Sequence, residues 1–214
     1  MKAMTTLPPG YTQQTVFNPL RNWTLFAAAI VAGIVLLITT AWLLVQFIDA
    51  LRPEALAGLR FSDMLTTTAN GTAFNLPFGL IRDFVIAIVL VLLTHELVHG
   101  LFYWLFSGKR PRFGMQGIAP YAAAPPGIYF PRNQVLIVGL APLLLLTLVG
   151  IPLMLIVPVQ LVPILLFFVA LNASGSTMDL LMVVSLLSFS ADTLMEDRDM
   201  KSIIYGPAEE VPAA

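Results

Sequence analysis

The stretch THELVHG, residues 94–100, holds two histidines four apart with a glutamate beside the first. On a helix, residues i and i+4 project from the same face, so His95 and His99 can both reach one cation. Glu96 stands where it can take a proton from a water that the cation polarises. Two neutral imidazoles and a carboxylate suit Zn2+, with a fourth position left open. These are the only histidines in the chain. An HExxH pattern arises by chance in a chain of about 200 residues on the order of 1% of the time, and less often within an apolar helix. The alternative is two buried histidines paired with Glu96 for structural reasons.

The elements that must position these groups follow from composition. The 214 residues are 58% hydrophobic and 11% charged, which points to a membrane protein. The net charge of −1 argues against a nucleic-acid partner. With no cysteine, thiolate metal sites and disulfides are excluded. A helix needs about 20 apolar residues to cross the hydrocarbon core. Four segments meet this, at about 24–48, 84–106, 134–157 and 160–188. The last is interrupted by NASGSTMD at 172–179. The expected fold is therefore all-α and integral to the membrane, with about four transmembrane helices, the fourth broken near its middle. Residues 1–23 form an N-terminal segment, 24–188 the membrane domain with its catalytic core at 84–188, and 189–214 a C-terminal tail. The Gly- and Pro-rich stretch 108–133 reads as a connecting loop, though its 113–130 part could offer a strand edge to a peptide. PEALAGLRFSDML, in the 49–83 connection, reads as a short amphipathic surface helix. The tail reads as helical at first, then frayed.

Four spans put the N-terminus, the 108–133 loop and the tail on one side. That side carries Lys2, Arg21, Lys109, Arg110, Arg112, Arg132, Arg198 and Lys201; the other carries Arg52, Arg60 and Arg82. The basic excess places both termini in the cytoplasm, in a prokaryotic plasma membrane.

Within the expected spans the ionisable side chains are His95, Glu96, His99 and Asp179. Such groups are costly in a bilayer and mark function. Asp179 is the natural third ligand. It lies as far before the end of its span as the HExxH motif lies before the end of its own. The alternative is a first-turn carboxylate favoured by the helix dipole. The break at NASGS frees backbone groups that only protein or a water-filled cavity can satisfy. Asn172 could donate its amide to a substrate carbonyl or oxyanion, or cap the freed backbone.

HELVHG in one helix, GLAP at 139–142 in the next, and NASGSTMD in a later broken helix together resemble the site-2 protease class of intramembrane zinc metalloproteases. The nearest resemblance is to a related group of small-membrane-protein zincin peptidases, over roughly residues 84–205. It implies that His95, His99 and Asp179 bind zinc, that Glu96 activates water, and that Asn172 steadies a substrate strand. Gly175 stands where that class has proline, Leu180 where it has glycine, and the Asn-to-Asp spacing is one residue shorter. These departures bear on Asn172 and the substrate more than on the metal. The expected activity is hydrolysis of a peptide bond in or near the bilayer. The partners are membrane lipid and a membrane-protein or peptide substrate of unknown identity. The rival reading is a zinc-binding membrane protein without proteolysis, a sensor, carrier or scaffold.

Overall fold

A computed structural model of the chain describes residues 3–18, 21–57, 59–68, 71–117, 119–198 and 201–208. Among the described residues, four helical segments are long and apolar enough to cross a membrane. They are α1 (Trp23–Leu51), α2 (Phe78–Ser107), α3 (Arg132–Ile156) and a fourth divided into α4 (Val162–Gly175) and α5 (Thr177–Leu187). Local chemistry sets their ends. Asn22 Oδ1 accepts from the backbone N–H groups of Thr24 and Leu25, capping α1. Gly108, at φ +67°, closes α2 through an N–H to the Trp104 carbonyl. The helix starts at Phe78, earlier than expected, so Arg82 and Asp83 lie inside it. Asp83 is buried and pairs with Arg82.

The all-α expectation is corrected by eight strands among the described residues. Those in the terminal and 108–133 regions are β1 (Tyr11–Phe17), β4 (Arg112–Gln116), β5 (Ala119–Ala123), β6 (Tyr129–Pro131), β7 (Leu194–Arg198) and β8 (Lys201–Pro207). A small hairpin, β2 (Leu65–Thr68) with β3 (Gly71–Phe74), completes the set. The 108–133 stretch is thus no plain loop: β4 and β5 pair as an antiparallel hairpin, with Phe113 opposite Ala122. The tail is not helical either. There β7 and β8 pair antiparallel and join a sheet of order β1-β8-β7-β6. What holds them there is a cross-strand pair: Met195 and Ile204, directly opposite each other, both enter the core. The expected amphipathic helix at PEALAGLRFSDML is two short 3-10 turns, Pro53–Leu56 and Phe61–Met64.

The chain divides into two compact units. One comprises Met1–Val31, Thr94–Pro142 and Ser176–Ala214. Its core joins Tyr103 of α2, Val135 and Val138 of α3, and Leu186 of α5 to Phe130, Met195 and Ile204 of the sheet. Each large side chain buried there contributes about 1.5–3 kcal/mol, so the sheet anchors the ends of the helices it covers. The other unit comprises Ala32–Leu93 and Leu143–Gly175. Its core includes Leu44, Ile48, Val91, Met154, Val162 and Val169. Arg52 donates there to the carbonyls of Met154 (3.0 Å) and Val157 (2.6 Å), satisfying acceptors that the end of α3 leaves open.

Candidate metal centre

The centre lies in the first unit. His95 and His99 are one turn apart on α2, both buried, with ring centroids 4.9 Å apart and planes at 76°. Asp179 comes from the first turn of α5. Its Oδ2 is 3.1 Å from His95 Nε2 and its Oδ1 is 3.4 Å from His99 Nε2. The two Nε2 atoms are 3.2 Å apart. Three side chains separated by up to 84 residues in sequence thus bring candidate ligand atoms within 4.8 Å of one another.

The orientation of the His99 ring follows from one hydrogen bond. His99 Nδ1 is 3.0 Å from the Val138 carbonyl. A carbonyl can only accept, so Nδ1 carries the hydrogen and the neutral ring has its lone pair on Nε2. Val138 O is able to accept because of Pro142. In a regular helix that carbonyl would bond the N–H four residues on, and proline has none. The GLAP proline therefore releases an acceptor to the histidine.

The GLAP glycine acts by size. A Cβ built on Gly139 would lie 2.9 Å from Val183 Cγ2 and 3.6 Å from the Asp179 carbonyl. Its absence lets α3 approach α5 at the turn that carries Asp179. Gly100, directly after His99, does the same for the hairpin: a Cβ there would fall 2.4 Å from Phe113 Cζ.

These contacts test the site for a metal. His99 offers a bare Nε2, facing a second Nε2 and a carboxylate. Ligand atoms about 2.0–2.1 Å from a tetrahedral Zn2+ lie about 3.3 Å apart; His95 Nε2 is 3.2 Å from His99 Nε2 and 3.1 Å from Asp179 Oδ2, and the 3.4 Å contact of His99 is to the other carboxylate oxygen, Oδ1. The two imidazoles and one carboxylate fit zinc in chemistry, and one ligand atom from each lies within 4.8 Å of the others, close enough to share one ion.

Glu96 stands outside that trio. It is half-buried, and its Oε2 accepts from the Ala122 N–H of β5 at 2.6 Å. Two residues on, the Ala124 N–H donates to Asp197 Oδ2 at 2.9 Å. Successive outward N–H groups along this side of the hairpin are therefore held by carboxylates. Asn172 is fully buried on α4, in the second unit. Sequence reasoning missed the Val138 carbonyl and the Ala122 N–H. The first had a signal, a proline inside an apolar helix, whose orphaned acceptor lies four residues back.

Residues 88–194, half of the chain, match the family described as "Putative zincin peptidase". The chain belongs to that family, and its matched region holds His95, Glu96, His99 and Asp179. Neither a curated protein nor a solved structure matches the chain.

Proposed function

We propose that the chain is an integral membrane zinc metallopeptidase of the site-2 protease type, cutting a peptide bond in or near the bilayer. The observation that carries this is the convergence of His95, His99 and Asp179 on helices long and apolar enough to cross a membrane. Zn2+ held there supplies Lewis acidity toward a water and a scissile carbonyl. Glu96 accepts the proton of the attacking water and delivers it to the leaving amine. The Ala122 N–H fixes one of its oxygens. The membrane is a prokaryotic plasma membrane, crossed several times, with both termini cytoplasmic; eight of eleven basic residues in the unit that holds the termini support that orientation.

The test is zinc content and cleavage measured side by side on detergent-purified protein. About one zinc per chain is expected, lost in His95→Ala and kept in Glu96→Gln. Glu96→Gln should cleave no peptide that the wild type cleaves. Folded wild type that takes up no zinc would refute the centre, and cleavage by Glu96→Gln would refute the role of Glu96.

A further inference from the structure

A second polar site lies in the same unit, on the terminal sheet. Val16, Asn18, Arg21, Arg198, Lys201 and Ile203 line a groove of about 480 Å³. Three of the six are cations, and all three are exposed. Arg198 NH2 donates to both oxygens of the buried Glu196 at 2.9 Å. That leaves its Nε and NH1 groups with no protein acceptor among the described residues. Neither Arg21 nor Lys201 forms an ion pair with a described residue. Glu196 thus uses one nitrogen of Arg198, and the described residues that line the groove include three cations and no carboxylate.

The position of the groove narrows its ligand. Arg21 is two residues before Trp23, where the first apolar helix begins. Trp23 is 76% exposed and leans on Phe26, its ring centroid 6.0 Å away. An exposed tryptophan at the start of such a helix marks the level of lipid headgroups. Between the cations the groove offers the apolar surfaces of Val16 and Ile203 and the amide of Asn18. A phosphate oxygen array suits the guanidinium and ammonium donors, and the apolar surfaces suit the carbon atoms attached to that phosphate.

The geometry points to a binding site for the phosphate of an anionic phospholipid headgroup, formed by Arg21, Arg198 and Lys201 with Asn18. It rests on the membrane-spanning reading above, but not on the metal centre. The headgroup seats the terminal sheet against the membrane surface and so holds the unit that contains His95, His99 and Asp179 at a fixed depth.

The test uses the full chain in nonionic detergent, titrated with phosphatidylglycerol or phosphatidylcholine and read by native mass spectrometry. The test variant is Arg21→Gln/Lys201→Gln. Arg198 is kept, because removing it would strand the buried Glu196. The control variant is Lys109→Gln/Arg110→Gln, which removes two charges elsewhere in the same unit. Each basic group facing an anionic headgroup is worth roughly fivefold in affinity, so the test variant should lose phosphatidylglycerol about 25-fold and the control little. Phosphatidylcholine should bind weakly to all. An undiminished preference for phosphatidylglycerol in the test variant would overturn the site. So would an equal loss in the control, since binding would then be diffuse. Complete displacement by millimolar inorganic phosphate would assign the groove to free phosphate and overturn the lipid. A chain released from membranes by carbonate without detergent would sink the spanning reading and this site together. A detergent-dependent chain without lipid preference would sink this site alone. Zinc content, measured on the same samples, reports separately on the metal centre.

Discussion

His99 Nδ1 donates to the Val138 carbonyl at 3.0 Å, and that carbonyl can accept because Pro142, four residues on, has no N–H. An interior proline costs a soluble helix about 3 kcal/mol, and membrane helices keep one where another group takes up the freed carbonyl. Here that group is a candidate metal ligand. Pro142→Ala supplies a competing N–H to Val138 without touching any ligand. Its α3 should be as stable as before or more so, while zinc affinity falls about tenfold, as for loss of an outer hydrogen-bond partner. A chelator competition titration beside a thermal melt reads both. Unchanged affinity would mean that His99 is oriented by something other than Val138.

The contact between α3 and α5 is set by Gly139, and a large side chain there should act on the metal through Asp179. Gly139→Leu drives atoms into Val183, 2.9 Å from where a Cβ would stand. Overpacking of this kind costs about 1–3 kcal/mol, and the least costly relief is to shift α5. Zinc per chain should fall, and Val183→Ala should restore part of it, giving a coupling energy of about 0.5–3 kcal/mol in a double-mutant cycle. Two independent, additive losses would show that the glycine does not set the position of Asp179.

Stability and metal binding should separate at Arg52. Its guanidinium serves the carbonyls of Met154 and Val157 in the unit that lacks the three ligands. Hydrogen bonds to a charged group are worth about 1.5–3 kcal/mol each, so Arg52→Ala should lower stability by at least that much. Arg52→Lys should recover only part, because a single ammonium does not reproduce the guanidinium fork. Zinc stoichiometry at a temperature where the variant is folded should be unchanged. Loss of zinc in the folded variant would contradict this separation.

The apolar helices and the histidine pair were legible because each rests on local spacing. Length and hydropathy mark a span, and i, i+4 marks a face. Asp179 was legible through one further step, equal distance from the helix ends. The strands were not, because neither region that forms them alternates cleanly. In LMEDR the buried Glu196 reads as solvent-facing, and only its partners Arg198 and Tyr205 explain its burial. In RFGMQGIAPYAA the two glycines and the proline read as loop, whereas Gly114 is needed inside β4: a Cβ there would lie 2.6 Å from its cross-strand neighbour Tyr121. The expected span at 84–106 left out the start of α2, which takes in Arg82 and the buried Asp83 paired with it.

The link between Glu96 and the hairpin can be broken without altering a side chain near the metal. The Ala122 N–H points to Glu96 Oε2, at 2.6 Å, and not across to β4. Proline at 122 therefore removes that donor and costs the hairpin no ladder bond. Its fixed φ suits an extended strand position. If Glu96 is the general base, Ala122→Pro should keep zinc at the wild-type ratio. Turnover of any peptide that the wild type cleaves should fall about tenfold or more, because misplacing a catalytic group by about 1 Å can cost about a hundredfold. The control is Ala122→Gly, which keeps the N–H and should lose far less. Single-turnover rates on zinc-matched samples distinguish the two. Equal rates for proline and glycine would leave Glu96 positioned by its own helix alone, and the hairpin would then have no part in holding the base.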